Sequence, residues 1–340
     1  MAHLAASPEL LVALHRTEST FEEIPVIDIK DARSSDPIAR KRLADLIRDA
    51  CINVGFFYIE SHGIPEEAVD NTINVGKKYF ALPEATKMEL DIHKTSNFKG
   101  YTAFLGENTD PTGLGDMHEA FDIGCEIPSE GEHNGQMAGG NVWPPEIPEF
   151  KEIVTDYYRR TLEVGKLLFP LFALALDLPE TFFDDKTIKS AAIMRLLHYP
   201  PQSPTSFETD INGKQIGIGA HTEWCFTILW QDTAGGLQVQ NAAGKWVDAV
   251  PIPGTLVVNL GDQFARWTND MFKSTLHRVI NRSGLERYSI PLFFGTDYDV
   301  LLEPIPTCVT PGSPSKYDVV TAGQYVKSRL EATYSHSSAL

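Results

Sequence analysis

The sequence predicts a mainly β protein with flanking helices, organised as a double-stranded β-helix, the jelly-roll form of barrel. Two observations carry that expectation. From Ala191 to Phe294 the chain breaks into short runs rich in β-branched and aromatic residues, separated by turn residues. The chain before this region instead carries apolar residues at helical intervals, and one further helical pattern closes the C-terminus.

Met1 to Leu14 is mildly apolar without a basic leader or a cleavage signal, and is expected as a short surface helix or extension. Asp36 to Val54 places Ile38, Leu43, Leu46, Ile47 and Cys51 at helical spacing behind Asp36-Pro37, a cap and a first-turn proline. Gly55 ends that helix, and an aromatic, β-branched run follows. Val69 to Phe80 reads as a second helix, stopped before Pro83. Asn97 to Asp116, rich in Gly, Thr, Asn, Asp and Pro, reads as a long loop of the kind that covers active sites. Residues 128–146 are again Gly, Pro and polar. Ile147 to Leu178 carries the long apolar repeat Ile153, Tyr157, Leu162, Val164, Leu167 and Leu171, which Pro170 is expected to kink or divide.

Strands are expected over Ala192–Tyr199, Thr227–Gln231, Leu237–Gln240, Trp246–Val250, Thr255–Asn259 and Ser289–Phe294, with a hairpin connection at Asn241–Gly244. Thr321 to Ala332 reads as the closing helix. The regions are then an extension (1–22), a helical and strand support (23–126), a lid and long helix (127–190), the double-stranded β-helix core (191–300) and a C-terminal segment (301–340). They form one integrated unit.

With 340 residues, 42% hydrophobic and 22% charged, the chain can bury a sizeable core as a soluble globular protein. Its formal net charge of −17 argues against nucleic acid or an anionic membrane as partner, and leaves small molecules. No run of about 18 apolar residues is present, so no transmembrane helix is expected. Cys51, Cys125, Cys225 and Cys308 are scattered without a C-x-x-C pair, which predicts free thiols in a reducing, cytoplasmic setting. Ser338-Ala339-Leu340 lacks the basic residue of the peroxisomal Ser-Lys-Leu address and is discounted.

The chemistry is concentrated at His221-Thr222-Glu223 and His277. His-x-acid on a strand places a nitrogen and an oxygen ligand on one face, because side chains two apart share a face. A histidine from a distant strand completes a 2-His-1-carboxylate facial triad, which suits non-haem Fe(II) and leaves open positions for substrate and O2.

With Arg287-Tyr288-Ser289 downstream, the chain resembles the Fe(II)/2-oxoglutarate oxygenases of the isopenicillin N synthase-like group, which carry H-x-D, a distant H and R-x-S. The resemblance extends over Ile24-Pro25-Val26-Ile27-Asp28, Gly55-Phe56-Phe57, His62-Gly63-Ile64-Pro65, Tyr199-Pro200-Pro201, Gly235 to Val239, Asn259-Leu260-Gly261-Asp262, Trp267-Thr268-Asn269 and Ser274 to Val279. It implies that His221, Glu223 and His277 hold Fe(II), and that 2-oxoglutarate and O2 take the open positions. Arg287 is then expected to meet the distal carboxylate of 2-oxoglutarate through paired guanidinium donors. Ser289 and Tyr199 are expected to add hydroxyl donors, while Leu197 stands where the family usually has a polar contact.

Oxidation of a small organic substrate follows from the resemblance, as hydroxylation, desaturation or ring closure in natural-product or amino-acid metabolism. Tyr101, Phe104, Phe121, Cys225 and Phe293 are the expected substrate contacts, and Arg195 and Arg266 are candidates for a substrate carboxylate or for structural ion pairs. Two departures stand out: glutamate replaces the family's aspartate, and the stretch from His221 to Thr227 is one residue short. Two other readings remain: a 2-oxoglutarate-independent Fe(II) oxidase, and a noncatalytic binding barrel with an impaired metal site.

Overall fold

The computed structural model describes residues 20–95, 97–109, 115–126, 139–201, 216–224, 226–281 and 284–335, with residues 216 and 330–335 described by their backbone alone. Met1 to Leu14, residues 110–114 of the expected loop, residues 127–138 of the expected lid, Cys225 and Ser338-Ala339-Leu340 therefore lie outside the described residues.

The N-terminal third alternates strand and helix. β1 (Val26–Asp28) leads to α1 (Pro37–Asn53), which opens with the Asp36 carboxylate accepting from the Ile38 amide at 2.9 Å. Its buried stripe is Leu43, Ala44, Ile47, Ala50 and Cys51, whereas Leu46 on the flank of the stripe and Ile38 on the opposite side of the helix are exposed. β2 (Phe56–Glu60), α2 (Glu66–Phe80) and the single turn α3 (Glu84–Lys87) follow. β3 (Gly100–Thr102) then pairs antiparallel with β4 (Glu119–Gly124). β3 corrects the start of the long loop expected over Asn97–Asp116: a glycine-led run too short to show alternation is held extended by its partner strand.

α4 (Phe150–Ala175) runs continuously through Pro170, which therefore does not divide the helix. The loss of one backbone bond is offset by burial on both sides of it, at Leu168, Phe169, Leu171 and Phe172. Gly165 lets this helix approach the sheet closely, since a Cβ there would stand 2.4 Å from the Phe294 ring. No helix among the described residues is long and apolar enough to cross a membrane.

The remaining strands are β5 (Ala192–Tyr199), β6 (Ile216–His221), β7 (Phe226–Gln231), β8 (Leu237–Gln240), β9 (Trp246–Asp248), β10 (Leu256–Asn259), β11 (His277–Ile280) and β12 (Arg287–Phe294). α5 (Asp262–Trp267) sits between β10 and β11, and α6 (Ala322–Ser335) closes the chain. An eight-stranded sheet in the order β1-β2-β10-β7-β12-β5-β4-β3 faces a four-stranded sheet in the order β6-β11-β8-β9. The Asn241–Gly244 turn joins β8 to β9 as expected, with Gly244 N–H donating to the Asn241 carbonyl at 2.8 Å.

Alternation along the strands divides the core in two. Phe294, Leu292 and Ile290 of β12, Phe226 and Ile228 of β7, and Met194 and Leu196 of β5 face the helices. Phe56 and Tyr58 of β2, Val257 of β10 and Leu197 and Tyr199 of β5 face the small sheet, where they pack on Leu237, Val239 and Val279. That inter-sheet space, the barrel interior, is where the site is built.

Candidate active site

His221 is the last residue of β6 and His277 the first of β11, and the two are register partners. Glu223 lies two residues beyond the end of β6, so the His-x-acid motif is strand at its first residue only. The carboxylate nevertheless reaches between the rings: its Oε1 is 3.5 Å from His221 Nε2 and 3.6 Å from His277 Nε2. All three donors lie within 4.8 Å of one another. Ligands at about 2.1 Å in cis positions of an octahedron stand about 3 Å apart, so this donor set fits one metal ion with little movement.

The histidine tautomers fit as well. His221 Nδ1 lies 2.8 Å from the Gly219 carbonyl and His277 Nδ1 lies 3.1 Å from the Thr275 carbonyl. A carbonyl can only accept, so each Nδ1 carries the proton and each Nε2 lone pair points at the shared centre. Burial pushes the Glu223 carboxyl up, but the two facing histidines outweigh it and hold the pKa well below the usual range. Burial and the neighbouring His221 push His277 down. Burial acts the same way on His221, yet Glu223 more than offsets it and raises that histidine above its ordinary value.

Further into the barrel, Arg287 of β12 and Tyr199 of β5 are register partners, both essentially fully buried. The guanidinium lies over the tyrosine ring at 4.6 Å, Nε donates to the Gly235 carbonyl at 2.6 Å, and Nη1 donates to Ser289 Oγ at 3.0 Å. Arg287 Nη2 and the Tyr199 hydroxyl have no hydrogen-bond partner among the described residues. Leaving a charged donor and a phenol unsatisfied costs stability unless a ligand completes them. A carboxylate is a group that two such donors fit, and the fold brings Arg287, Tyr199 and Ser289 together. Leu197 packs in the apolar inter-sheet core, opposite Ser289, and offers no polar contact.

The expected substrate contacts divide. Phe293 is half-buried on the interior face of β12 and its ring is 6.4 Å from that of Trp224, the residue after Glu223. Phe104 is half-buried in the turn that follows β3, and Cys225 is not described. Tyr101 and Phe121 are corrections. They are register partners on the helix face of β3 and β4, where both rings pack on Tyr79 and the Tyr101 hydroxyl donates to Glu119. They belong to the helix-side core, because the strand phase turns them away from the barrel interior.

Arg195 is tied up structurally, and Arg266 in part, its Nε being buried without a hydrogen-bond partner among the described residues. Arg195 forks to Glu107 at 2.7 and 2.8 Å and to Asp122 at 2.7 and 2.8 Å. Arg266 donates to the Asp318 carbonyl and lies over the rings of Tyr317 and Tyr325. Residues with no assigned role in the sequence now border the interior. Thr227 and Asn259, paired across β7 and β10 and flanked by Phe293 and Phe56, each bury a polar atom without a partner among the described residues. Phe56 packs edge-on to His277 with ring centroids 5.1 Å apart, which puts this row at the end of the interior that carries the His221, Glu223 and His277 cluster. The signal for them was the alternation of β7 and β10, read from Glu223 outward.

Two family models match the chain: the N-terminal domain described as non-haem dioxygenase in morphine synthesis over residues 24–146, and the 2OG-Fe(II) oxygenase superfamily over residues 190–296. A 2-oxoglutarate-Fe(II) type oxidoreductase of Emericella nidulans is 38% identical over 323 residues, 93% of this chain and 91% of the relative. A homoarginine-6-hydroxylase of Glycine max is 34% identical, over 87% of this chain and 92% of the relative. Among solved structures, a full-length Neurospora crassa protein in complex with alpha-KG and thymine superposes with a TM-score of 0.81 at 30% identity, covering 91% of this chain and 96% of that one.

Proposed function

Because the chain belongs to the 2OG-Fe(II) oxygenase superfamily, we propose that His221, Glu223 and His277 hold its Fe(II) and that Arg287, Ser289 and Tyr199 bind the distal carboxylate of 2-oxoglutarate. The protein is a non-haem Fe(II)- and 2-oxoglutarate-dependent dioxygenase that oxidises a small organic substrate with O2. The single observation that supports the residue assignments best is that two unsatisfied carboxylate donors, Arg287 Nη2 and the Tyr199 hydroxyl, share one barrel interior with a three-ligand cluster. This favours 2-oxoglutarate use over the cosubstrate-free oxidase reading.

Iron loaded with 2-oxoglutarate and O2 supplies oxidative decarboxylation of the cosubstrate to succinate and CO2, coupled to a two-electron oxidation of the substrate. The protein supplies the positions. His221 and His277, oriented by the Gly219 and Thr275 carbonyls, present neutral imidazoles. Glu223 supplies the anion. Arg287, anchored by Gly235 and Ser289, would hold the far carboxylate of 2-oxoglutarate and orient the cosubstrate. Phe56 and Phe293 wall the metal end with apolar surface and limit water there.

Hydroxylation of a small amino acid or natural product is the reaction class this reading favours. It draws on the relatives, one named for homoarginine hydroxylation and one solved with thymine. Anaerobic titration with Fe(II) and 2-oxoglutarate, then exposure to O2 with candidate substrates, tests the reading. Stoichiometric succinate with a product 16 mass units heavier is expected (one oxygen atom, about 16 Da, inserted by an oriented reaction). Substrate oxidation without succinate would overturn the 2-oxoglutarate assignment.

A further inference from the structure

We propose that Asp262 is a positioning residue for the metal centre, joining the two ligand-bearing segments to each other and to the C-terminal helix through one carboxylate. The inference rests on the assignment of His221, Glu223 and His277 as ligands. Thr222-Glu223-Trp224 lies past the end of β6 and has no ladder to fix it. Its three carbonyls are satisfied from outside the sheets. The Thr222 carbonyl accepts from Arg329 Nη2 at 3.1 Å, that of Glu223 from the Asp262 amide at 2.8 Å, and that of Trp224 from the Gln263 amide at 3.2 Å.

The Asp262 side chain adds the link. Oδ1 accepts from Ser274 Oγ at 2.6 Å, three residues before His277. Oδ2 accepts from Thr222 Oγ1 at 3.3 Å, between His221 and Glu223, and from the Tyr325 hydroxyl of α6 at 2.8 Å. Arg329 Nη1 stands 3.7 Å from the same oxygen. Asp262 thus ties the connection that carries Glu223 to the connection that carries His277, and α6 holds it from outside. A carboxylate accepts at both oxygens at once, so it can hold both segments; an amide would offer only one acceptor oxygen. Glu223, on a longer arm than aspartate and off the strand, depends on this support for the placement of its oxygen between the two imidazoles.

Removing the link should weaken metal binding while leaving the barrel folded, since none of these groups belongs to either sheet. Partners of this outer kind typically carry about 10- to 100-fold in metal affinity. The test is an anaerobic Co(II) titration of the full chain, followed by the visible spectrum of the Co(II) complex with and without 2-oxoglutarate, for Asp262→Ala, Asp262→Asn, Ser274→Ala, Arg329→Ala and Arg329→Lys. Asp262→Ala should bind Co(II) about 10- to 100-fold more weakly with an altered spectrum. Ser274→Ala and Arg329→Ala should fall between it and the parent, and Arg329→Lys should recover part of the loss. Thermal unfolding of the metal-free proteins should stay close to the parent's. Parent-like affinity and spectrum in Asp262→Ala overturn the proposal; if that variant fails to fold, the same result in Asp262→Asn and Ser274→Ala overturns it. His221→Ala is the control. If it too binds Co(II) as the parent does, the ligand assignment itself has failed, whereas its loss beside an unaffected Asp262→Ala condemns the Asp262 link alone.

Discussion

His221 and His277 stand opposite one another in the β6–β11 ladder, their ring centroids 4.3 Å apart, so the two imidazoles proposed as ligands are brought together by strand register. Only Glu223 depends on a segment outside the ladder. His221→Ala and His277→Ala are each expected to lower iron affinity by more than roughly 100-fold and to abolish turnover, because each removes a proposed direct ligand. The far-ultraviolet circular dichroism should match the parent, since the backbone pairing does not use either ring. Iron quantitation on the purified variants checks this, and parent-like occupancy in either one removes that histidine from the ligand set.

Arg287 is positioned by one backbone carbonyl and one hydroxyl, leaving Nη2 for a ligand. Arg287→Ala should raise the KM for 2-oxoglutarate by roughly 10- to 150-fold, the equivalent of about 1.5–3 kcal/mol for a hydrogen bond to a charged group. Tyr199→Phe, which keeps the ring under the guanidinium, should cost less. Steady-state kinetics with varied 2-oxoglutarate separates these effects, and an unchanged KM in Arg287→Ala would place the cosubstrate elsewhere.

The sequence made the candidate metal-binding cluster legible because ligand chemistry is carried by residue identity, whatever the local backbone. His221, Glu223 and His277 converge although Glu223 lies off the strand its motif predicted. The long helices and the strands from Ala192 onward were legible through their periodicity. β4 was not, because Glu119–Gly124 is buried along its whole length with Glu119 on the helix face and Asp122 on the interior face, so no polar side announces it. Missing β4 and β3 is what misplaced Tyr101 and Phe121. Once those strands are paired, alternation sends both rings toward Tyr79, while Asp122 and Arg195 turn inward.

Glu119 also sets an acid limit on stability. Its carboxylate takes hydrogen bonds from Lys87 Nζ at 2.5 Å and the Tyr101 hydroxyl at 2.6 Å, and faces His198 Nδ1 at 2.7 Å. Burial pushes its pKa up, but these three partners outweigh burial and leave it below the ordinary 4.5. A depressed carboxyl pKa stabilises the fold at pH above the unfolded value, and that contribution is lost as pH falls through the folded value. Glu119→Gln should therefore flatten the acid limb below pH 4.5. At neutral pH it should cost about 3–5 kcal/mol, since the Lys87 charge is left buried without its partner. Urea unfolding across pH measures both, and an acid limb identical to the parent's would assign the loss of stability to other carboxylates.

The last prediction concerns the length of the proposed iron carboxylate. Glu223 reaches both imidazoles from a connection whose backbone is held at Thr222, Glu223 and Trp224 by Arg329 and the start of α5. Downstream, Thr227 is fixed between Asn259 and Phe293 by the β7 ladders, so the short connection cannot slide toward the metal. Glu223→Asp removes one methylene, withdrawing the oxygen by about 1.5 Å, which is large against the ~0.2 Å tolerance of metal–ligand distances. It is therefore expected to lose most iron affinity and activity even though aspartate is the family's usual residue. Glu223→Gln keeps the length and removes the anion, and should lose iron affinity as well. Iron titration and succinate formation by the two variants divide the outcomes. A fully active Glu223→Asp would mean that the connection adapts to the shorter arm while Glu223 remains the ligand, whereas a fully active Glu223→Gln would exclude Glu223 as the anionic ligand altogether.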